Sequence, residues 1–229
     1  MGDTEPSQFG NACSRWRCVA AAALMVLCAG AAWPQAVTNP NLNAQLLVAA
    51  RNNDVAAVER VLAEGAAPNS RNRLGKTALL LACEKGQASL AATMLRAGSD
   101  VNLASLEGVT PLMAASYGGH ASIVRDLLGT GARTEPLDRM RKDALLYAAA
   151  QGHADVLVLL LDAGVPIDAP HEHQLTALMW AAGQGQVSAV RLLLQRGART
   201  DLRDDRGLSA LDIARQAGHD EVARLLPAP

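Results

Sequence analysis

Few residues in this 229-residue chain are spaced as a catalytic or cofactor-binding motif requires. Gly75, Lys76 and Thr77 look like the end of a phosphate-binding loop, but Ser70 stands where that motif needs its first glycine, and no strand is predicted before it. The patterns HExxH, GxSxG and CxxC, which would indicate a metalloprotease, a hydrolase nucleophile or a thiol site, do not occur. The sequence therefore predicts no acid, base or nucleophile constellation, no bound cofactor and no enzyme.

Histidines are the remaining candidates for chemistry. His171 and His173 are the one close pair in the sequence, and two imidazoles at this spacing could titrate near neutral pH or bind zinc or copper. The other histidines each follow a glycine and lie 33 or more residues apart, at His120, His153 and His219. We expect those three rings to hydrogen-bond loop carbonyls rather than to bind a metal.

Composition excludes several classes of protein. Half of the residues are apolar, which argues against a disordered chain, and the net charge of -1 gives no general field for binding phosphate backbones. A nucleic-acid partner is therefore not expected. Aromatic residues make up only 3% of the chain, which is few for a single central core and favours a repetitive structure built from Ala and Leu.

The N-terminal segment is typical of a secretory signal peptide. Arg15 and Arg17 precede an apolar run from residue 18 to 29, and small residues follow at Ala29 and Ala31. We predict a signal peptide over residues 1–32, cleaved after Ala31 or Ala32, and a linker over 33–40. The uncharged stretch of 16 residues is shorter than the roughly 20 that a spanning helix needs, although an uncleaved anchor stays an alternative. The expected location is periplasmic or secreted, with no membrane contact after cleavage.

Cysteine usage fits this interpretation. Cleavage would remove three of the four cysteines and leave Cys83, so the exported protein could form no internal disulfide. A lone thiol in an oxidising compartment is safe only when it is buried. We therefore expect Cys83 to act as a small core residue rather than as a redox group.

A 33-residue period organises the chain from about residue 41 onward. A helix-capping residue recurs at Thr77, Thr110, Asp143, Thr176 and Ser209. Two positions after each cap stands a Leu, five positions after it an Ala, and nine positions after it a Gly. One period earlier, Leu46, Ala49 and Asn53 keep the phase, with Asn at the Gly position because Asn tolerates left-handed backbone.

Each period predicts two short antiparallel helices. The capping residue begins the first helix, Leu and Ala face inward, and Gly turns the chain into the second helix. No unit of this size buries its own apolar face, so neighbouring units must stack. The sequence therefore predicts an all-α fold.

The repeat resembles the ankyrin repeat, whose pattern is T-P-L-H-x-A followed by Gly, over about residues 41–226. The His of that pattern is absent here. The resemblance implies a solenoid of helix-turn-helix units with projecting loop fingers, covering 41–229. The expected repeats are 41–70, 71–103, 104–136, 137–169, 170–202 and 203–229. It also implies that the fingers and the exposed side of the first helices form a groove that binds another protein.

Two fingers depart from the common pattern. The turn position that is Gly in the other fingers is Arg141 in the third and Gln174 in the fourth. Unusual residues on loops of a rigid scaffold are often functional. We therefore predict partner contacts from Arg139, Met140, Arg141, His171 and His173.

Aromatic residues give a second set of candidates. Tyr147 and Trp180 occupy the same helical position in successive repeats, so we expect them to be neighbours that either pack between helices or anchor a partner. Tyr117 follows the first helix of its repeat and should be exposed in the groove. Trp180 and Tyr117 join the predicted partner-binding set.

The sequence thus predicts a non-catalytic protein-protein interaction scaffold in the periplasm. Two alternatives stay open. One is an exported metal- or haem-handling protein that uses His171 and His173, and the other is an immunity or inhibitor protein that blocks an exported enzyme.

Overall fold

The computed structural model describes residues 40–227. The predicted signal peptide and residues 33–39 of the predicted linker lie outside the described residues. Within residues 40–227 the regular structure consists of six pairs of α-helices and one short 3-10 helix. The predicted all-α solenoid of helix pairs is confirmed over this range.

The first helices of the pairs are α1 Pro40–Arg51, α3 Ala78–Lys85, α5 Pro111–Tyr117, α7 Ala144–Gln151, α9 Ala177–Gly183 and α11 Ala210–Gln216. The second helices are α2 Val55–Ala63, α4 Ala88–Arg96, α6 Ala121–Gly129, α8 Ala154–Asp162, α10 Val187–Gln195 and α12 Asp220–Leu225. The 3-10 helix spans Glu172–Gln174, between α8 and α9.

The predicted capping residues begin the first helices as expected. The Thr77 hydroxyl accepts a hydrogen bond from the Leu80 amide at 3.2 Å, and the Asp143 carboxylate accepts one from Leu146 at 2.7 Å. Each such bond satisfies an amide that has no partner within the helix, a contribution of about 1 kcal/mol. Gly86 ends α3 with a φ of 69°, a left-handed backbone that glycine adopts without steric cost.

Stacking of like helices builds one continuous core. First helices pack against the first helices of adjacent repeats, and second helices pack against second helices. The Leu and Ala positions of the period are all buried, at Leu79, Leu112, Leu145, Leu178 and Leu211 and at Ala82, Ala115, Ala148, Ala181 and Ala214. The small Ala side chains let neighbouring first helices approach closely. Leu46, Val58 and Val61 extend this core into the first helix pair.

Cys83 belongs to this core and is fully buried. Burial raises the pKa of its thiol, with the nearby Glu84 carboxylate adding to the effect. A thiol that keeps its proton is a poor nucleophile. The expectation of a buried, structural cysteine is confirmed.

The first and last helix pairs depart from the central ones in ways that the sequence indicates. In the first pair Asn53 has a φ of 58°, as predicted from its place in the period. In the last pair Arg215, Gln216 and Arg224 are exposed, so the outer side of α11 and α12 is hydrated. None of the helices within residues 40–227 has both the length and the apolar character to cross a membrane.

Two of the three inter-helix histidines make the predicted contact with a loop carbonyl, whereas the His120 ring makes none within residues 40–227. The Nε2 atom of His153 lies 3.0 Å from the Tyr117 carbonyl oxygen, and that of His219 lies 3.1 Å from the Gly183 carbonyl oxygen. In the repeat between them Gln186 takes the same place and donates to the Ala150 carbonyl at 3.1 Å. These three side chains tie their own inter-helix loops to the preceding repeat.

Candidate functional site

Five fingers connect successive helix pairs, and in most of them the side chain at the same repeat position holds the turn. We number them finger 1 to finger 5, over residues 70–76, 103–109, 136–142, 170–175 and 202–208. In four of the fingers the side chain at one position accepts hydrogen bonds from the amides two and four residues ahead; these acceptors are Asn72, Ser105, Asp138 and Asp204. Such bonds hold a tight turn in one geometry.

Finger 1 accounts for the residues that look like a phosphate-binding loop. Gly75 turns the chain with a φ of 73°, and Thr77 caps α3. The Lys76 ammonium group lies 2.6 Å from the Glu84 carboxylate. The lysine therefore has an anionic partner within the protein, and both other residues have structural roles.

Finger 3 displays the predicted basic residues. Met140 is 61% exposed, and Arg139 and Arg141 are exposed without an ion pair among residues 40–227. Arg141 stands at the glycine position with a φ of 56°. The three side chains are therefore exposed at the surface of finger 3.

Asp138 connects finger 3 to the helices below it. Its carboxylate is buried and accepts a hydrogen bond from the Tyr147 hydroxyl as well as from the Met140 and Lys142 amides. Burial, together with the Asp138 contact, raises the pKa of Tyr147, so the phenol keeps the proton that it donates. This contact fixes the Tyr147 ring to the base of finger 3.

In finger 4, the expectation that His171 is available to a partner is wrong. Its side chain is 4% exposed rather than displayed, and its Nε2 atom lies 3.6 Å from a carboxylate oxygen of Asp143. An imidazole has no carboxylate or amide oxygen with which to accept the two turn amides, so this finger forms the 3-10 helix instead. His173 and Gln174 then take φ angles of 60° and 58°. The His171 ring in this structure is part of the interior.

His173, unlike His171, lies at the surface and faces finger 5. It is 69% exposed, with its Nδ1 atom 3.4 Å from the Asp205 carboxylate in finger 5. The two rings of the alternative metal-binding pair thus face different carboxylates: His171 faces Asp143, whereas His173 faces Asp205 and, at 4.0 Å, Glu172. Among residues 40–227 there is no group of three or more His, Cys, Asp or Glu side chains placed to hold a metal ion.

Backbone hydrogen bonds join most neighbouring fingers. The Leu106 amide donates to the Leu74 carbonyl at 3.0 Å, the Arg139 amide to the Glu107 carbonyl at 3.0 Å, and the Asp205 amide to the His173 carbonyl at 3.1 Å. The corresponding bond from finger 4 to finger 3, from the Glu172 amide to Met140, is missing in the described chain. A cleft of about 150 Å³ lies there instead, lined among others by His171 and Trp180.

A larger pocket of about 350 Å³ lies in the groove formed by the first helices. Its walls are mainly apolar, from Val109, Met113, Ala114, Tyr117 and Tyr147, with Glu84 at one side. The Tyr117 and Tyr147 rings meet edge to face, with centroids 5.6 Å apart. Tyr117 is 54% exposed, which confirms its predicted place in the groove.

Tyr147 contacts an aromatic ring that the sequence analysis did not pair with it. The ring that contacts Tyr147 is Tyr117 of the preceding repeat, whereas Trp180 shares a cation with it: the Lys142 ammonium group lies 4.5 Å from the Trp180 ring centroid and 5.8 Å from that of Tyr147. Trp180 is partly buried. Lys142, Val109 and Met113 were not among the predicted partner-binding residues, and the repeat alignment does not pair the two tyrosines, since Tyr147 aligns with Ala114.

Paired helices stacked in phase, with fingers hydrogen-bonded to one another beside a helical groove, define the class of helical repeat solenoids. The family model for ankyrin repeats (3 copies) matches the chain over residues 46–138, 85–171 and 145–228. The chain belongs to the ankyrin repeat family. Ankyrin repeats are in general protein-protein interaction modules, and the proteins that carry them are typically non-enzymatic scaffolds. No curated protein matches the chain in sequence.

Proposed function

We propose that this protein is a non-catalytic scaffold that binds a partner protein through its groove and finger 3. The observation that carries the proposal is the apolar pocket beside Tyr117 and Tyr147, next to a finger whose Arg139 and Arg141 are exposed and unpaired in the described chain. An apolar centre with a charged margin is the composition of many protein interfaces. Single exposed arginines are common on protein surfaces and do not by themselves indicate an interface. Arginines beside a concave apolar pocket favour the binding of a partner.

Rigidity supports the same function. The Tyr147 hydroxyl is held by Asp138, and the turn of finger 3 is closed by two further bonds to that carboxylate. Binding to a surface that is already ordered loses less conformational entropy than binding to a mobile loop. The scaffold thus contributes to affinity without contacting the partner.

The partner surface is tested by charge reversal in finger 3. We expect Arg139→Glu together with Arg141→Glu to weaken capture of the partner by about tenfold or more, because both unpaired cations become anions at the interface. The matched control is Arg125→Glu with Arg191→Glu on α6 and α10, which makes the same change in net charge on exposed second-helix residues.

Pull-down with the tagged protein, quantified by mass spectrometry, measures capture, and thermal unfolding checks that all three proteins are folded. Equal capture by wild type and the finger 3 variant would remove this surface from the proposal. Loss of capture in the α6 and α10 variant as well would indicate a general effect of net charge.

We further propose that the protein works in the periplasm after removal of residues 1–32. The support is the sequence of the N-terminal segment and the burial of Cys83, which suits an oxidising compartment. N-terminal sequencing of the protein from a periplasmic fraction should begin at Ala32 or Trp33. Recovery of the intact N-terminus from the cytosolic fraction would contradict this location.

An inhibitor of an exported enzyme would use the same surface and is distinguished by the identity of the captured partner.

A further inference from the structure

The cations of the fingers are compensated to different degrees. Lys76 in finger 1 and Arg203 and Arg206 in finger 5 lie 2.6, 3.6 and 2.7 Å from carboxylates, whereas Arg71 and Arg73 in finger 1 have no ion pair among residues 40–227. Arg139 and Arg141 in finger 3 have no such partner within residues 40–227. The charge at this finger is therefore available to an external anion.

The carboxylates near finger 3 do not cancel this charge. Asp138 is buried and accepts bonds from its own turn and from Tyr147, so it faces inward. Glu84 is paired with Lys76. Two exposed carboxylates remain, Glu107 on finger 2 and Glu172 on finger 4, against three cations on finger 3, namely Arg139, Arg141 and Lys142.

Tyr147 connects finger 3 to the apolar pocket, while Arg141 and Lys142 line the cleft between finger 3 and finger 4. Tyr147 is a wall of the pocket, and its hydroxyl donates to Asp138, the residue before Arg139. The Lys142 ammonium group lies over the rings of Tyr147 and Trp180, on the same face. The pocket volume of about 350 Å³ is at the small end of the range of about 300–1,000 Å³ for ligand sites, which suits one large side chain rather than a whole domain.

We propose that this surface recognises a short acidic segment of a partner protein, which places one bulky apolar side chain in the pocket and two or more carboxylates against finger 3. The inference rests on the proposed protein-binding function and specifies the chemistry of the partner. Arginine is the side chain best suited to carboxylates because its planar group can donate two parallel hydrogen bonds. Tyr117, exposed at the pocket rim, would contact the apolar side chain.

The test uses a random peptide library displayed on phage and selected on the immobilised full-length protein. Soluble protein carrying Arg139→Glu and Arg141→Glu is present as competitor, so that peptides which bind elsewhere are removed. We expect the enriched sequences to carry at least two Asp or Glu residues within a few positions of a Phe, Tyr, Trp or Leu.

Fluorescence anisotropy with the labelled winning peptide then gives affinities. The finger 3 double variant should weaken binding about tenfold or more, and raising NaCl should weaken binding to wild type. Tyr117→Ala should weaken it about fivefold through loss of an apolar contact, whereas Tyr117→Phe should bind as wild type. The variant with Arg125→Glu and Arg191→Glu should stay within about twofold of wild type.

Several results would overturn the inference. Enriched peptides without an acidic bias, no enrichment at all, or equal binding by the finger 3 variant would remove the proposed partner chemistry. Binding of vesicles rich in phosphatidylglycerol, stronger than that of any peptide and lost in the same variant, would identify a lipid surface instead. If the pull-down still captures a protein through another face, only this inference fails; if it captures none, the proposed function fails with it.

Discussion

At the scale of single residues, Arg141 shows how a finger departs from the repeat. Its counterparts Gly75, Gly108 and Gly207 have φ angles of 73°, 82° and 78°, and Arg141 takes 56° with a side chain present. A residue with a Cβ atom in this region costs about 1 kcal/mol relative to glycine. Retaining Arg141 therefore lowers stability in exchange for a cation at the finger tip.

The first prediction follows from this strain. Arg141→Gly should raise the free energy of unfolding by about 1 kcal/mol, because glycine relieves the left-handed backbone. Arg139→Gly is the matched control: it removes the same charge where φ is not positive and should lower stability by about 0.5 kcal/mol or less. Urea denaturation measures both, and equal effects of the two substitutions would show that Arg141 is unstrained.

Asp143 is a second residue whose structural role has an energetic cost: it caps a helix with a carboxylate that is buried. It caps α7, but it is buried, whereas the equivalent caps Thr77, Thr110 and Thr176 are neutral. Burial raises the pKa of Asp143, while the bond from the Leu146 amide and the His171 ring act in the opposite direction. An acid whose pKa is raised on folding favours the folded state at low pH, and that contribution is lost as the pH rises through the folded pKa.

The second prediction is that Asp143→Thr stabilises the protein at neutral and higher pH. Threonine keeps the capping bond without a buried charge, so we expect a gain of about 1 kcal/mol that shrinks as the pH falls and Asp143 becomes protonated. Asp143→Ala removes the buried charge as well but loses the cap, so it should be about 1 kcal/mol less stable than Asp143→Thr. Thermal unfolding at several pH values measures this, and an advantage of Thr that grows toward acid would contradict the direction of the shift.

At the scale of elements, the row of fingers has a break between finger 3 and finger 4. Three finger junctions carry a backbone hydrogen bond, and the Glu172 amide makes no corresponding bond to Met140. The cause is His171, which cannot accept the turn amides that Asp138 accepts in finger 3. The break opens the cleft beside Trp180.

The third prediction concerns amide exchange along this row. The amides of Leu106, Arg139 and Asp205 should exchange more slowly than that of Glu172, because only the former are bonded to the neighbouring finger. His171→Asn together with Gln174→Gly should restore the regular turn and slow exchange at Glu172. Hydrogen exchange followed by NMR tests both statements, and equal protection at all four amides would show that the row is continuous.

The helices themselves were predictable from sequence because their signals are local. A cap at Thr77 or Ser209, apolar residues three apart and a terminal glycine lie within one repeat and recur in phase. The orientation of His171 and the meeting of Tyr117 with Tyr147 depend on contacts between repeats. A pattern read along one repeat does not contain those contacts, so the pocket and the buried ring appeared only in the structure.

At the scale of the whole molecule, the described helix pairs share one core that no pair could form alone. Leu112 and Ala115 of α5 are buried because α3 and α7 cover them from both sides. Stability in such a stack is approximately a sum over repeats and the interfaces between them. The pocket also depends on stacking, since its residues come from three successive repeats, as Glu84, Met113 and Tyr147 show.

The central claim, that stacked repeats stabilise one another, is tested most directly by thermal unfolding of a protein lacking residues 104–136. This deletion removes one 33-residue period and joins the flanking repeats in phase. We predict a helical protein that still unfolds cooperatively, with a midpoint at least about 5 °C lower, because one repeat and one interface are lost. An unchanged midpoint would contradict the account, since it would mean that the helix pairs are stable independently of their neighbours.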